Sequence, residues 1–258
     1  MAERQLRRYA AYAYGWLAYL LALATVVYAV GFLANAVVPK SVDAGAGFSL
    51  GPPLVVDLAL IGLFGLQHSL MARPGFKARW TRLVPEPVER STYVVFAACA
   101  LLVLMWGWQP LPAVLWHVEG VPSLVLLGGS LVGWLFMLAA VNMIDGDDLM
   151  GRRQTRAYLR GQSPEPIDFA TPAAYRYVRH PIMTGFLVAF WLTPHMTVGH
   201  LLFAAGMTGY LLVGVTLEER DLVAAFGDRY DRYRDAVPMF FPRPGRSAPH
   251  SSDEAPAE

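Results

Sequence analysis

The stretch Tyr175-Arg-Tyr-Val-Arg-His-Pro-Ile-Met-Thr-Gly185 connects a long polar segment to an apolar run that continues to about Leu217. Its proline, Pro181, is a helix-start signal, because the amide hydrogens of a first helical turn have no intrahelical partner to lose. Residues 194–199, Pro-His-Met-Thr-Val-Gly, interrupt the apolar run near its middle. A run of roughly 36 residues is too long for one membrane span and short for two, so it predicts a tight helical hairpin.

Four further apolar runs come before this hairpin, and the whole composition is that of a membrane protein. The chain of 258 residues is 55% hydrophobic and only 16% charged. About 20 apolar residues span a bilayer, and runs of roughly this length or more cover residues 10–38, 52–71, 91–108 and 123–144. We therefore predict an all-α, polytopic membrane bundle of five to six transmembrane helices, of which the last two form the hairpin.

Basic residues are concentrated in alternate connections between these runs. The basic segments are the N-terminus, residues 72–90, residues 145–179 and the chain after Glu218, whereas the loops between them contain almost no positive charge. By the positive-inside rule these segments and both termini are cytoplasmic. Residues 1–242 are predicted to form one domain, and residues 243–258, which lack apolar periodicity, a disordered tail.

Several residue types are interpreted individually. The single cysteine, Cys99, excludes an intrachain disulfide and is predicted to be a small buried hydrophobe. The histidines show no ligand-pair spacing, so no metal site is predicted, and neither is a nucleic-acid partner. Glycines 128, 129 and 133 lie within a membrane helix, where small residues indicate close helix packing. The tryptophans at positions 106, 108 and 116 suggest an aromatic belt at one membrane interface.

Polar side chains cluster on the cytoplasmic side of these runs. Because a hairpin brings its two ends together, His180 is expected to lie beside Glu218 or Glu219. Adjacent helical residues point about 100 degrees apart, so only one of these glutamates can face a pocket, and the other can pair with an arginine or remain solvated. The helix N-terminus at Pro181 favours an anion, such as the carboxylate of an amino-acid-like cofactor. The alternative is that the neighbouring arginines only anchor a helix end among lipid headgroups.

Together, these motifs resemble a known membrane superfamily. Arg179-His-Pro181, Gly185, Glu218-Glu219 and the later Tyr230, Tyr233, Val237-Pro238 and Pro242 resemble the C-terminal half of isoprenylcysteine carboxyl methyltransferases and their bacterial relatives. The stretch Gln67-His-Ser-Leu-Met-Ala-Arg-Pro-Gly-Phe-Lys77, with residues 80–85 and 89–93, resembles the nurim-type branch, which includes methanethiol S-methyltransferases. The resemblance covers roughly residues 10–242.

The chain departs from this pattern at two places. Met183 stands where the superfamily has an aromatic residue. Residues 145–151 read Asp-Gly-Asp-Asp-Leu-Met-Gly, where the branch has a run like Asn-His-Phe-Asp-Leu-Phe-Gly, so a histidine is missing. This second departure concerns the identity of the methyl acceptor more than that of the cofactor.

The resemblance implies an S-adenosylmethionine-dependent S-methyltransferase of the bacterial inner membrane that converts methanethiol, a small volatile thiol, to dimethyl sulfide. Its cofactor-binding part would be about residues 145–242, with the cofactor held by Tyr177, Arg179, His180, Pro181, Gly185, Glu218 and Glu219. The acceptor side would be formed by His68, Arg73, Arg90, Tyr93 and Asp148. The alternatives are another thiol, sulfide or carboxylate acceptor, or a non-catalytic nurim-like membrane protein.

Overall fold

The computed structural model describes residues 1–45, 50–164 and 168–248, and most of these residues are helical. The ten α-helices found in these ranges are α1 Ala2–Ala34, α2 Gly51–Ala72, α3 Pro74–Trp80, α4 Glu86–Gly107, α5 Val121–Ile144, α6 Gly146–Leu149, α7 Arg152–Arg160, α8 Pro181–Trp191, α9 Val198–Phe226 and α10 Asp228–Ala236. A 3-10 turn spans Ala173–Arg176, and two short strands are β1 Val114–His117 and β2 His195–Thr197.

Five of the described helices are long and apolar enough to cross a membrane, namely α1, α2, α4, α5 and α9, and α8 is a shorter apolar helix. The chain is therefore a multi-pass membrane protein, and the predicted bundle of five to six helices is confirmed. Large apolar side chains such as Leu63, Val103 and Leu135 are exposed on its outside, as expected for a surface that faces lipid. Asp57 and His68, by contrast, point into the bundle, where the Asp57 carboxylate accepts a hydrogen bond from the Gln109 amide at 2.8 Å.

The predicted hairpin is present and begins at Pro181, but its two arms are unequal. Helix α8 has 11 residues and α9 has 29, and β2 lies between them at the far end of the bundle. Helix α8 packs against α5 through glycine: a Cβ on Gly185 would lie 2.7 Å from the Gly133 carbonyl oxygen. Backbones can approach this closely only where both residues lack a side chain. The predicted close packing is thus confirmed at Gly133, whereas a Cβ on Gly128 would meet open space.

The loops that are poor in positive charge meet at the far end of the bundle. Strands β1 and β2 pair antiparallel, with His117 opposite His195, and the Thr197 hydroxyl donates to Asp43 at 2.6 Å. The two histidine Nδ1 atoms lie 3.0 Å apart, a contact that their sequence spacing did not suggest. Across residues 1–45, 50–164 and 168–248 no group of three or more His, Cys, Asp or Glu side chains could hold a metal ion.

Two expectations about burial are wrong. Cys99 is exposed on the outside of α4, because in a membrane protein an apolar outer face contacts lipid and need not be buried. Trp108 is fully buried and packs edge-on against Phe32 and Phe203, so it belongs to the core. Trp106 and Trp116 are exposed, as predicted for an aromatic belt.

The chain after α10 returns to the bundle. Its described part reaches Ala248, which is buried and whose amide donates to the Arg176 carbonyl at 2.8 Å. The remainder of the predicted tail, residues 249–258, lies outside the described residues.

Candidate active site

The two ends of the hairpin meet in a buried charge cluster, which we call the hairpin cluster: Arg179, His180 and Glu219. One Glu219 carboxylate oxygen, Oε1, accepts a hydrogen bond from Arg179 Nε at 2.7 Å and lies 3.0 Å from His180 Nε2. All three side chains are about nine-tenths buried. The sequence argument that a hairpin would bring His180 beside a glutamate is therefore correct.

The segment after α10 holds the hairpin cluster in place. The backbone amides of Arg179 and His180 donate to the carbonyl oxygens of Pro238 and Met239 at 2.9 and 3.1 Å. The Arg179 guanidinium also donates to the carbonyls of Arg234 and Val237. This explains why the Val237-Pro238 motif accompanies Arg179-His-Pro181, since the two segments pair along their backbones. The start of α8 is thus anchored by protein contacts rather than only by lipid headgroups.

The adjacent glutamates of α9 have different environments. Glu219 faces inward and also pairs with Arg179. The sequence instead predicts that one glutamate faces inward and that the other pairs with an arginine or remains solvated. The Glu218 side chain is 49% exposed, with its carboxylate 3.8 Å from His180 Nδ1. Glu218 thus lies at the edge of the hairpin cluster, with part of its side chain open to the surroundings.

Three buried tyrosines surround the hairpin cluster. Burial, reinforced by the negative charge of Glu218, raises the pKa of the Tyr175 phenol, and burial likewise raises the pKa of Tyr230 and Tyr233. All three phenols are therefore neutral donors at physiological pH. The Tyr233 hydroxyl donates to the Tyr175 carbonyl at 2.5 Å. The Tyr230 hydroxyl is buried and has no hydrogen-bond partner among the described residues, which marks it as a candidate ligand contact that was seen in the sequence only as part of a motif.

A second group, the histidine–tyrosine pair, lies between α2 and α4. His68 Nε2 is 2.8 Å from the Tyr93 hydroxyl, and the Arg90 guanidinium stands 5.4 Å above the Tyr93 ring. The ring of Tyr210 on α9 stands perpendicular to the His68 ring, with the two ring centres 6.0 Å apart. The other imidazole nitrogen, His68 Nδ1, is buried and has no hydrogen-bond partner in the described part of the chain.

The end of α9 connects the two groups. Arg73, at the end of α2, forms an ion pair with Asp221 on α9 at 2.8 Å. Two residues earlier on the same helix, Glu219 pairs with Arg179. The structure therefore brings five predicted residues from α2, α4 and the hairpin around one helix end: His68, Arg73, Tyr93, His180 and Glu219.

The remaining predicted residues lie at the edges of this arrangement. Asp148 accepts a hydrogen bond from Gln154 at 2.7 Å rather than bonding to the histidine–tyrosine pair. Tyr177 is 55% exposed and lines a surface cleft of about 450 Å³ with residues 242–247. Pro181 is buried at the start of α8, and Gly185 faces α5 at the close contact with Gly133. Helix packing alone therefore explains why this position is a glycine.

The chain is similar to known proteins over most of its length. Residues 57–239 match the NnrU protein family. The methanethiol S-methyltransferase of Mycobacterium tuberculosis is 48% identical over 242 residues, which are 93% of this chain and 99% of the relative. Methanethiol S-methyltransferase 1 of Bradyrhizobium diazoefficiens is 46% identical over 237 residues, 91% of this chain and 83% of the relative. Nurim of Homo sapiens is 34% identical over 184 residues, 67% of this chain and 70% of nurim.

No solved structure matches the chain. The family match covers well over half of the sequence, and the bacterial relatives align with nearly all of it, which confirms the resemblance to the nurim-type branch. The chain is similar both to methanethiol S-methyltransferases and to nurim. It therefore belongs to the NnrU family of membrane proteins.

Proposed function

We propose that this protein is an S-adenosylmethionine-dependent S-methyltransferase that converts methanethiol to dimethyl sulfide. The observation that carries the proposal is the position of Glu218, a half-exposed carboxylate beside the hairpin cluster, 3.8 Å from His180 Nδ1. A carboxylate beside a membrane-embedded site is favourable when a cation binds next to it. The similarity to bacterial methanethiol S-methyltransferases supports methanethiol as the acceptor.

The residues of the hairpin cluster fit a ligand with both anionic and cationic groups. Arg179, His180 and the helix start at Pro181 favour the carboxylate of S-adenosylmethionine, and Glu218 favours its amino group or ribose. The buried Tyr230 hydroxyl needs a partner, which such a ligand would provide. Tyr177 lies at the exposed edge of this region, and Gly185 acts by setting the distance between α8 and α5. When bound, S-adenosylmethionine supplies an electrophilic methyl group on a sulfonium sulfur.

The chain's own residues prepare the acceptor. A thiol with a pKa of about 8.5 or above is mostly protonated at neutral pH, and the thiolate is the nucleophile. The lone pair of His68 Nδ1 can take the thiol proton if Tyr93 binds the hydrogen of Nε2. Arg73 and Arg90 place positive charge near Tyr93 and stabilise a thiolate. Asp148 contributes indirectly, by ordering the turn whose Leu149 carbonyl accepts a hydrogen bond from Arg90.

The proposal also includes orientation and location. The basic segments all lie at the end of the bundle that carries the site, and by the positive-inside rule this end and both termini face the cytoplasm. We place the protein in the bacterial inner membrane, with residues 1–242 as one methyltransferase domain. S-adenosylmethionine would then reach the site from the cytoplasm.

The test measures dimethyl sulfide by headspace gas chromatography over membranes that contain the protein, S-adenosylmethionine and methanethiol. We expect product from the wild type and none from His180→Ala, with binding of labelled S-adenosylmethionine lost in the same variant. A His68→Gln variant should keep that binding and lose most turnover. Binding without dimethyl sulfide from the wild type would mean another acceptor, and the absence of both from folded protein would refute the methyltransferase.

A further inference from the structure

A narrow cavity lies between α1 and α5, two of the helices long enough to span the membrane, and we call it the lateral slot. It has a volume of about 80 Å³ and is lined mainly by apolar side chains, among them Ala22, Val26, Leu138, Val141 and Met150. A single water needs only about 10–15 Å³ of such space. The slot can therefore hold a molecule of several heavy atoms.

The inner end of the slot reaches the proposed acceptor site. Ala22 and Met150, which line the slot, also pack against the buried cluster that contains Tyr93. The Leu149 carbonyl, next to Met150, accepts a hydrogen bond from Arg90 at 3.2 Å. The slot and the Tyr93 side chain thus border the same apolar cluster. Because methionine is unbranched and flexible, Met150 can move without disturbing the backbone.

The polar groups of the slot indicate what kind of molecule it admits. Arg152 lines the slot, and its Nε–H is buried with no hydrogen-bond partner among the described residues. The rest of its guanidinium is held in place, 4.0 Å above the Tyr19 ring and in an ion pair with Asp147. Tyr19 and Asn142 are the other polar residues that line the slot. A mainly apolar slot with a buried, unpaired donor suits a small neutral molecule that has one weak acceptor atom. A thiol meets this description, since its sulfur is a weak acceptor on an apolar group.

We infer that the lateral slot is the route and outer binding site through which the thiol acceptor passes from the bilayer to Tyr93 and His68, with Met150 as its inner gate. This inference rests on the proposed function. The methyl donor, which is charged, would use the cytoplasmic side, so the two reactants would reach the site from different phases.

The test compares slot-filling variants with matched variants on the same helices. Leu138→Trp fills the slot from α5, and Leu135→Trp places the same bulk at a lipid-exposed position of that helix. Ala22→Leu fills the slot from α1, with Ala24→Leu, an exposed position, as its control. We expect kcat/KM for methanethiol to fall on the order of tenfold in the slot variants and to change little in the controls. Binding of S-adenosylmethionine should be the same in all four, which also shows that they fold.

A third measurement widens the gate instead of closing the slot. Met150→Ala should raise the rate with 1-propanethiol relative to methanethiol, and this ratio does not depend on the fraction of folded protein. Slot variants no slower than their controls, or an unchanged ratio in Met150→Ala, would overturn the inference while leaving the methyltransferase intact. A wild type without dimethyl sulfide would instead overturn the proposed function, before any variant is compared.

Discussion

The hairpin cluster and the histidine–tyrosine pair are only a few side chains apart, yet they differ in how completely their polar atoms are paired. In the hairpin cluster, Glu219 binds both Arg179 and His180, and the arginine binds two further carbonyls. In the other group, His68 Nδ1 is buried without a partner in the described residues. A buried charge paired in this way contributes to stability whether or not it also contacts a ligand, because losing either partner leaves the other uncompensated. An unpaired buried nitrogen is available for a ligand or a proton.

The largest effect is expected from breaking the ion pair of the hairpin cluster. Glu219→Gln leaves the Arg179 charge buried and uncompensated, which should lower stability by about 3–5 kcal/mol. Thermal unfolding in detergent would show this as a large fall in Tm. The neighbouring Glu218→Gln is the control, because Glu218 is half-exposed; it should leave Tm nearly unchanged and weaken binding of S-adenosylmethionine. Equal falls in Tm would mean that the two glutamates do not differ as the structure indicates.

The next largest effect concerns catalysis and not stability. His68→Gln should lower the methyl-transfer rate by about 100-fold or more, since general-base contributions are of this size, while Tm and cofactor binding change little. The deficit should shrink as the pH rises, because methanethiol then ionises without help. Rates of dimethyl sulfide formation across a pH series would measure this. A deficit that stays constant with pH would leave His68 with a structural role only.

A third prediction separates helix packing from ligand binding at Gly185. Gly185→Ala should destabilise the protein by about 1–3 kcal/mol, because the added Cβ meets the Gly133 backbone. Gly128→Ala is the matched control, since a Cβ there meets nothing within 4 Å. Melting temperatures of the two variants would be compared. An effect of Gly185→Ala on cofactor affinity with an unchanged Tm would show that the glycine contacts the ligand after all.

The smallest effect is expected from Tyr230→Phe, which should weaken binding of S-adenosylmethionine without lowering stability. Tyr230→Phe removes a buried hydroxyl that has no partner in the described part of the chain, so stability should be unchanged or slightly higher. Affinity for S-adenosylmethionine should fall by about a factor of 5, corresponding to one lost hydrogen bond of roughly 1 kcal/mol. Calorimetric binding and thermal unfolding of the same sample would report both. A loss of stability with unchanged affinity would show that the hydroxyl has a structural partner instead.

Much of this architecture followed from local sequence alone. The membrane helices were predicted from apolar runs, and the hairpin from its length together with Pro181 and the interruption at residues 194–199. Both predictions depend on residues that are close together in the chain, and the local geometry of such residues varies little from one fold to another. The contact between His180 and a glutamate could also be predicted from the sequence, because any helical hairpin brings its two ends close together.

Which glutamate faces inward was decided only by the tertiary structure. The rotation of α9 about its axis depends on how it packs against α2 and α8, and the distance of α8 from α5 depends on the Gly133–Gly185 contact. The same holds for Trp108, for Cys99 and for the contact between His117 and His195. Apolar sequence is equally compatible with core and with lipid, so burial cannot be read from it. The order of the helices along the chain was thus determined by the sequence, while their rotation, and with it the choice of Glu219 as the partner of Arg179 and His180, came from long-range packing.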